Sequence, residues 1–209
     1  MKGLLLKEIY QLKHSIKTQG FTLVLFAGIG ILMKSTVYVG MMVTVLTTNM
    51  ILLTMGYDEN ASWKRYAMTM PLQRRDLITV KYLLLYGLTL FSMLFTILIS
   101  LPINAYTKIP MVESTATAMA CSLISLWSVS LNILLCTKFG VEKARFLTVL
   151  SYVVPFAIIW GLFLLEEKGK FAITDASLWP LLAGGFVVSL AFSLLLWHLS
   201  CRVIEKQDL

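Results

Sequence analysis

The stretch from residue 82 to residue 107 decides the fold and reads YLLLYGLTLFSMLFTILISLPINAYT. Its 26 residues include no charged side chain. A helix rises about 1.5 Å per residue, so about 20 apolar residues are enough to cross the hydrocarbon core of a bilayer. The stretch therefore predicts a membrane-spanning helix, which we expect Pro102 to end.

Six uncharged stretches of this kind follow one another along the 209 residues of the chain. They predict spans at about 20–33, 36–56, 82–103, 115–135, 147–165 and 177–200. The chain is 58% hydrophobic and 14% charged, whereas soluble domains have about 45–50% apolar and about 25% charged residues. This composition argues against a soluble enzyme. We expect an all-α polytopic membrane protein that forms a single membrane domain over residues 1–209.

Lysine and arginine residues are distributed unevenly between the ends and loops of this arrangement. Fourteen of the 18 lie in the two termini and in the loops after the second and fourth spans. Cytoplasmic segments of membrane proteins carry the excess of lysine and arginine. We therefore expect a multi-pass protein of the cell membrane with both termini in the cytoplasm. The net charge of +7 is then a sign of topology, and nucleic acid is not an expected partner.

Residues 1–19 have the pattern of an amphipathic helix. Leu5, Ile9, Leu12 and Ile16 fall on one helical face at spacings of four, three and four. Such a helix, with lysines near the headgroups, is typical of the inner interface of the lipid bilayer. The alternative is an ordinary cytosolic cap packed on the bundle.

The loop 57–81 is the most informative cytoplasmic segment. Asp58 or Asn60 is suited to cap the start of a helix, because a short polar side chain accepts a backbone hydrogen bond there. Pro71 is expected to end that helix, since its ring clashes with the preceding turn. We therefore predict a short helix on the cytoplasmic side between two spans.

This short helix has an aromatic face. Trp63, Ala67 and Met70 share it at spacings of four and three, and Tyr66 joins it beside Met70. An apolar face outside the membrane spans favours contact with a protein partner. The alternative is that Trp63 and Tyr66 only anchor the loop at the lipid headgroups.

The loop resembles that of ABC-2 type transporter permeases, especially the short six-span permeases of Firmicutes. The residues that carry the resemblance are Glu59, Trp63, Tyr66, Pro71, Arg74, Ile78, Lys81 and Tyr82. Met70-Pro71 stands where those proteins often have Leu-Pro, and the opening residues 1–8 are also similar to that family's start.

The resemblance implies a function for the loop. Its short helix would be a coupling helix that docks on an ABC ATPase subunit through Glu59, Trp63, Tyr66, Met70, Pro71 and Arg74. It also implies six-span units that pair with a second copy or a related permease, export their substrate, and lie in a bacterial plasma membrane.

The sequence contains no phosphate-binding loop of the GxxxxGK[ST] type. ATP and magnesium are therefore expected on the partner ATPase, and no cofactor or catalytic residue is expected in this chain. The three cysteines have no metal-binding spacing, so no metal site is expected.

Several polar residues lie inside the predicted spans. Thr44, Thr48, Asn49 and Asn132 are candidates for a substrate pathway. The alternative is that they form hydrogen bonds between helices, each contributing about 1 kcal/mol. The spans contain no charged residue, which argues against coupling to ions and for an external source of energy.

A row of small residues in the fourth span has a different interpretation. Thr117, Cys121, Ser125 and Ser128 lie along one face of this span. Small side chains allow helices to approach closely, so this face is predicted to pack against other helices.

Two functions remain at this point. The first is the permease of an ATP-driven exporter for an amphipathic or lipid-like substrate, an antimicrobial or cytolytic peptide being one option. The second is a non-transport scaffold or sensor subunit that binds a cytoplasmic partner through the loop 57–81.

Overall fold

The computed structural model describes residues 2–67, 69, 73–107, 111–144, 146–149, 151–154, 157 and 175–206. The helices are α1 (Lys2–Met33), α2 (Thr36–Asn60), α3 (Trp63–Ala67), α4 (Arg74–Thr107), α5 (Met111–Phe139) and α6 (Asp175–Lys206). Between α5 and α6, residues 141–144, 146–149 and 151–154 are also helical. The described part of the chain is therefore all-α, as predicted.

Five helical stretches of the described residues are long and apolar enough to cross a membrane. They are Ser15–Met33, Thr36–Asn60, Arg74–Tyr106, Met111–Phe139 and Trp179–Lys206. The prediction of an all-α polytopic membrane protein is confirmed. The predicted span 147–165 lies mostly outside the described residues, so the count of six spans stays a prediction.

The helices extend beyond the uncharged stretches. The prediction that Asp58 or Asn60 caps a new helix is wrong, because α2 continues through both residues. At the other side of the loop, α4 begins at Arg74 and includes Lys81. Charged residues are thus part of the long helices.

The prediction that Pro102 ends the third span is also wrong. Pro102 lies inside α4, which continues to Thr107. Prolines are tolerated in membrane helices because neighbouring groups and local adjustments satisfy the backbone that they leave unbonded.

Helix α1 is continuous, and its two halves have different surroundings. In the first half, Leu4 and Glu8 are buried, whereas Ile9 of the predicted apolar face is half exposed. The second half is peripheral, since Phe21 and Leu32 are 71% and 82% exposed. The first half of α1 therefore packs on the bundle through a partly charged side, and its role in the lipid interface stays a prediction.

The centre of the bundle is made by α2, α4, α5 and α6. Its largest apolar cluster consists of Ile51, Met55, Ile78, Tyr82, Leu84, Leu85, Leu126, Val129, Ile133, Cys136, Val141, Ala144, Leu196, Cys201 and Ile204. A smaller cluster joins α2 to α4 through Val39, Val43, Ile99 and Ile103.

The row of small residues in α5 lies inside this packing. Cys121, Ser125 and Ser128 are buried, and the Oγ1 atom of Thr47 on α2 lies 3.4 Å from the Oγ atom of Ser125. A Cβ atom added at Gly40 would lie 2.6 Å from the sulfur of Cys121. The interpretation of the row as a packing surface is confirmed, and it is used within the chain.

Candidate functional site

The four basic segments of the sequence meet at one end of the bundle. The ion pair of Arg75 with Glu205 joins the start of α4 to the end of α6. The backbone N–H of Val141, just after α5, donates to the carboxylate of Glu59 near the end of α2. The first half of α1 reaches the same end through ionic contacts. We call this end of the bundle the basic end.

A tight turn positions α3 at the basic end. The backbone N–H of Ala61 donates to the carbonyl oxygen of Tyr57 at 3.0 Å, and that of Ser62 donates to Glu59 at 3.0 Å. Ser62 has a φ of 48°, in the left-handed region that non-glycine residues rarely adopt. Two residues separate the two helices, and α3 is in contact with α2.

The predicted aromatic face of α3 is divided between the interior and the surface. Ala67 is buried and Trp63 is half-buried, whereas Tyr66 is 56% exposed. The rings of Trp63 and Tyr66 lie 5.4 Å apart with an angle of 46°. The described part of the face therefore offers Tyr66 to a partner. Met70 and Pro71 lie outside the described residues.

Glu59 connects two helices within the chain. Its Oε2 atom accepts the hydrogen bond from the N–H of Val141 at 2.6 Å, where a helical segment begins. A carboxylate at a helix N-terminus is stabilised by the helix dipole. Gly140 has a φ of 83°, and a Cβ atom there would lie 2.8 Å from Oε1 of Glu59. A contact of Glu59 with an ATPase stays a prediction.

Arg74 lies beside the end of α6. Its Nη1 atom donates to the carbonyl oxygen of Glu205 at 3.2 Å. The neighbouring Arg75 forms the ion pair with the side chain of the same residue. The start of α4 is thereby fixed to α6, and a role of Arg74 in docking remains a prediction.

A buried ionic cluster lies next to α3. We define it as Lys7 and Glu8 of α1, Asp58 of α2 and Lys81 of α4. The Nζ atom of Lys81 lies 2.6 Å from Oε2 of Glu8 and 2.8 Å from Oδ2 of Asp58. The Nζ atom of Lys7 lies 3.1 Å from Oε1 of Glu8 and forms a further ion pair with Asp58. Two cations and two anions therefore share one site.

The ionic cluster is buried and has no net charge. Glu8, Asp58 and Lys81 are 3%, 8% and 5% exposed. Neutral groups complete it, since Lys81 donates to Oγ1 of Thr54 at 3.1 Å and Gln11 donates to Oδ1 of Asp58 at 2.9 Å. Buried charges persist when they are paired and hydrogen-bonded, and removing one partner is strongly destabilising.

A small cavity of about 50 Å³ adjoins the ionic cluster. Glu8, Asp58, Lys81 and Trp63 line it together with apolar residues of α4 and α5. The charged cluster and the aromatic ring of α3 therefore face one common space at the basic end.

Two candidates for the substrate pathway form contacts between helices. Thr44 is buried, and its Oγ1 atom donates to the carbonyl oxygen of Gly40 at 2.7 Å and lies 3.4 Å from that of Cys121. The Nδ2 atom of Asn132 donates to Ser151 Oγ at 3.0 Å. These contacts agree with the alternative of interhelical hydrogen bonds. The side chain of Thr48 lies outside the described residues.

Asn49 lies in a groove of about 480 Å³, a size typical of small-molecule sites. The lining residues are Gln19, Asn49, Leu52, Leu53, Gly56, Tyr57, Asn60 and Thr148. We call this space the amide groove, because it combines the side-chain amides of Gln19, Asn49 and Asn60 with apolar side chains. All of these lining residues are uncharged.

A family model described as "ABC-2 family transporter protein" matches residues 3–205 of this chain. The chain belongs to the ABC-2 transporter family. Comparison with curated proteins and with solved structures finds no match. Because the family model covers nearly the whole chain, the long helices, the basic end and the amide groove are all parts of an ABC-2 permease.

Membership of the ABC-2 transporter family establishes the general function of the chain. An ABC-2 permease is the membrane component of an ABC transporter, and the family associates with an ABC ATPase. The chain is therefore a multi-pass membrane permease, and the family's part in transport is not itself catalytic.

The ionic cluster of the permease is not predictable from the sequence as a unit. In the sequence, Lys7, Glu8, Asp58 and Lys81 are separate charges of the N-terminus and of the loop 57–81. One signal is present in the sequence, because Asp58 follows the second uncharged stretch and Lys81 precedes the third. Two successive membrane spans run in opposite directions, which brings these two residues to the same end of the bundle. No pattern in the sequence indicates that Lys7 and Glu8 join them.

Proposed function

We propose that this ABC-2 permease is a subunit of an ATP-driven exporter and that a separate ATPase docks on α3. The observation that supports this proposal most strongly is the exposed Tyr66 on a helix held at the basic end. Both termini lie in the cytoplasm of a bacterial cell in this proposal. The exported substrate is amphipathic or lipid-like.

The orientation is supported by the gathering of the basic segments. The first half of α1, the loop 57–81, residues 138–145 and the end of α6 contain 14 of the 18 lysines and arginines. Since positive residues are enriched on the cytoplasmic side, the basic end faces the cytoplasm. An ATPase that uses cytoplasmic ATP can then reach α3.

The docking surface consists of Tyr66 and its neighbours on α3. Aromatic side chains that enter a pocket of a partner often contribute about 2 kcal/mol or more to binding. Movement of α3 during ATP hydrolysis would be passed to α2 and α4, because short connections join α3 to both helices.

Site-specific crosslinking tests the docking. The native cysteines Cys121, Cys136 and Cys201 are first replaced by alanine, and Tyr66→Cys is introduced. The matched control is Tyr106→Cys, since Tyr106 is an exposed tyrosine at the opposite end of α4. We expect a thiol-reactive photocrosslinker, attached to the introduced cysteine and irradiated, to link only the Tyr66→Cys variant to the ATPase. Linkage of both variants or of the control alone would contradict the proposal.

The amide groove is the proposed contact site for the polar part of the substrate. Within the described residues, the Oε1 atom of Gln19 is buried without a hydrogen-bond partner, while Asn49 is exposed. Apolar residues such as Leu52 and Leu53 adjoin these amides. A molecule with an uncharged hydrogen-bonding group and an apolar part matches this lining.

Transport in vesicles tests the amide groove. The permease and its ATPase are reconstituted, and ATP-dependent movement of a fluorescent amphipathic peptide or phospholipid is measured. We expect Asn49→Leu to slow movement several-fold, whereas Tyr106→Leu, a change at an exposed position at the opposite end of α4, has little effect. Equal rates for wild type and Asn49→Leu with both probes would remove the groove from the pathway.

We also propose that the permease pairs with a second copy of itself or with a related permease. The exposed second half of α1 supports this, because Phe21, Val24 and Leu32 leave a large apolar surface outside the bundle. Mass measurement of the complex in lipid should show two permeases with two ATPases. A single permease per ATPase pair would contradict the pairing.

A scaffold or sensor subunit would give a different result in these experiments. It would bind a cytoplasmic partner at α3 without ATP-dependent movement of any amphipathic probe. Crosslinking at Tyr66 together with transport therefore distinguishes the two functions.

A further inference from the structure

We propose that Lys7 is a positioning residue that holds Trp63, and with it α3, in the orientation required for docking. This inference rests on the proposed docking of an ATPase at α3. Lys7 is the sixth residue of α1, and nothing in the pattern of the membrane spans assigns it a function.

Lys7 contacts α3 directly. Its Nζ atom lies 4.6 Å from the centroid of the Trp63 ring. A cation over the face of an aromatic ring attracts it, and the attraction is stronger when the pair is removed from water. The side chain of Lys7 is 20% exposed, so the contact is largely shielded.

The anions of the ionic cluster hold Lys7 in place. Its Nζ atom lies 3.1 Å from Oε1 of Glu8 and forms an ion pair with Asp58. Asp58 is fixed in turn by Lys81 at 2.8 Å and by Gln11 at 2.9 Å. The ring of Trp63 therefore contacts a cation whose position is determined by α1, α2 and α4 together.

Helix α3 needs such external contacts. It contains only five residues, and a helix of that length is not stable by itself in water. Trp63 and Tyr66 are ring neighbours at 5.4 Å, so a displaced Trp63 would also displace the exposed Tyr66. Lys7 thereby acts on the docking surface without being part of it.

Two double variants separate this role from the general stability of the ionic cluster. Lys7→Met/Glu8→Gln removes the cation from Trp63 and leaves Lys81 paired with Asp58, so the cluster stays neutral. Lys81→Met/Glu8→Gln also leaves a neutral cluster, but it retains Lys7 on the ring. A third variant, Lys7→Arg, preserves the cation and is expected to behave as wild type.

The first measurement uses the permease alone. Fluorine NMR of the protein labelled with 5-fluorotryptophan reports each tryptophan separately, and Trp63→Phe identifies the resonance of Trp63. We expect Lys7→Met/Glu8→Gln to move this resonance by more than its linewidth. Lys81→Met/Glu8→Gln and Lys7→Arg should leave it near its wild-type position. An unmoved resonance in the variant without Lys7, or an equal shift in both double variants, would overturn the proposal.

The second measurement is the affinity of the ATPase for the same variants. We expect Lys7→Met/Glu8→Gln to weaken binding about tenfold, as loss of a shielded cation–aromatic contact would do, and Lys7→Arg to restore it. Wild-type affinity in the variant without Lys7 would refute the positioning role. Absence of ATPase binding to wild type would refute the proposed function instead, while the NMR result would still report on Lys7 and Trp63.

Discussion

The two ends of α2 are held to their neighbours in opposite ways. Near the start of the helix, Gly40 lies so close to α5 that a Cβ atom would be 2.6 Å from the sulfur of Cys121. Near its end, Asp58 forms ion pairs with Lys7 and Lys81 inside a buried cluster. The first contact depends on the absence of a side chain, and the second depends on the balance of charge.

This difference determines which substitutions each end tolerates. At Gly40 any larger residue must displace the side chain of Cys121 or push α2 and α5 apart, whatever its polarity. At Asp58 the shape matters less than the charge, because one missing partner leaves an uncompensated ion in a buried site. The basic end can therefore tolerate paired substitutions that keep the charges balanced, whereas no such pairing relieves the crowding near Gly40.

The largest effect is expected for Lys81→Met. This change leaves Glu8 and Asp58 with Lys7 as their one remaining cation, and we expect a loss of about 3–5 kcal/mol in stability. Thermal unfolding in detergent measures it. The double variant Lys81→Met/Glu8→Gln restores neutrality and should recover much of the loss. No recovery would show that charge balance is not what stabilises this end.

Overpacking at the other end of α2 should have a smaller effect. Gly40→Leu places a side chain against Cys121 and Thr96, and we expect a loss of about 1–3 kcal/mol. Gly87→Leu is the control, since a Cβ atom at Gly87 meets nothing within 4 Å. Equal unfolding temperatures for the two variants would contradict close packing at Gly40.

Gly140, which directly follows α5, allows a test of a single contact at the basic end. Gly140→Ala introduces a Cβ at a φ of 83° and 2.8 Å from Glu59, so we expect a loss of about 1–2 kcal/mol. Gly184→Ala, where nothing lies within 4 Å, is the control for chemical unfolding in detergent. A loss of unfolding free energy no larger than that of the control would show that the side chain of Glu59 moves away from the added methyl group at little cost.

The smallest effect is expected at the exposed ion pair. Arg75 and Glu205 have side chains that are 63% and 38% exposed, so water competes with their attraction. We therefore expect Arg75→Gln to change the unfolding temperature very little. Unfolding curves of this variant and of Lys81→Met, recorded together, compare an exposed pair with the buried cluster. A loss as large as that of Lys81→Met would contradict the distinction between them.

The sequence predicted the membrane helices well, because a bilayer imposes a length and excludes charge from its centre. It predicted their ends poorly for the same reason. A charged residue in the sequence indicates the end of a span, but Asp58 and Lys81 are compensated within the bundle and lie inside α2 and α4.

The candidate docking site was predictable only in part. The spacing of Trp63 and Tyr66 identified a short aromatic helix, and the residues of the loop indicated the family. The spacing did not show that Trp63 faces Lys7 while Tyr66 faces outward, because that depends on a contact across 56 positions of the chain. Asn132 was similarly ambiguous until its contact with Ser151 was known.

In the proposed function, an ATPase docks on α3 and is thereby coupled to the permease. The most direct test measures ATP turnover by the ATPase in vesicles that contain wild-type permease, Tyr66→Ala or the control Tyr106→Ala. We predict that wild type and Tyr106→Ala change the turnover of the ATPase alike, whereas Tyr66→Ala has lost most of this effect. Turnover with Tyr66→Ala equal to that of the control would show that α3 is not the coupling element and would contradict the proposed function.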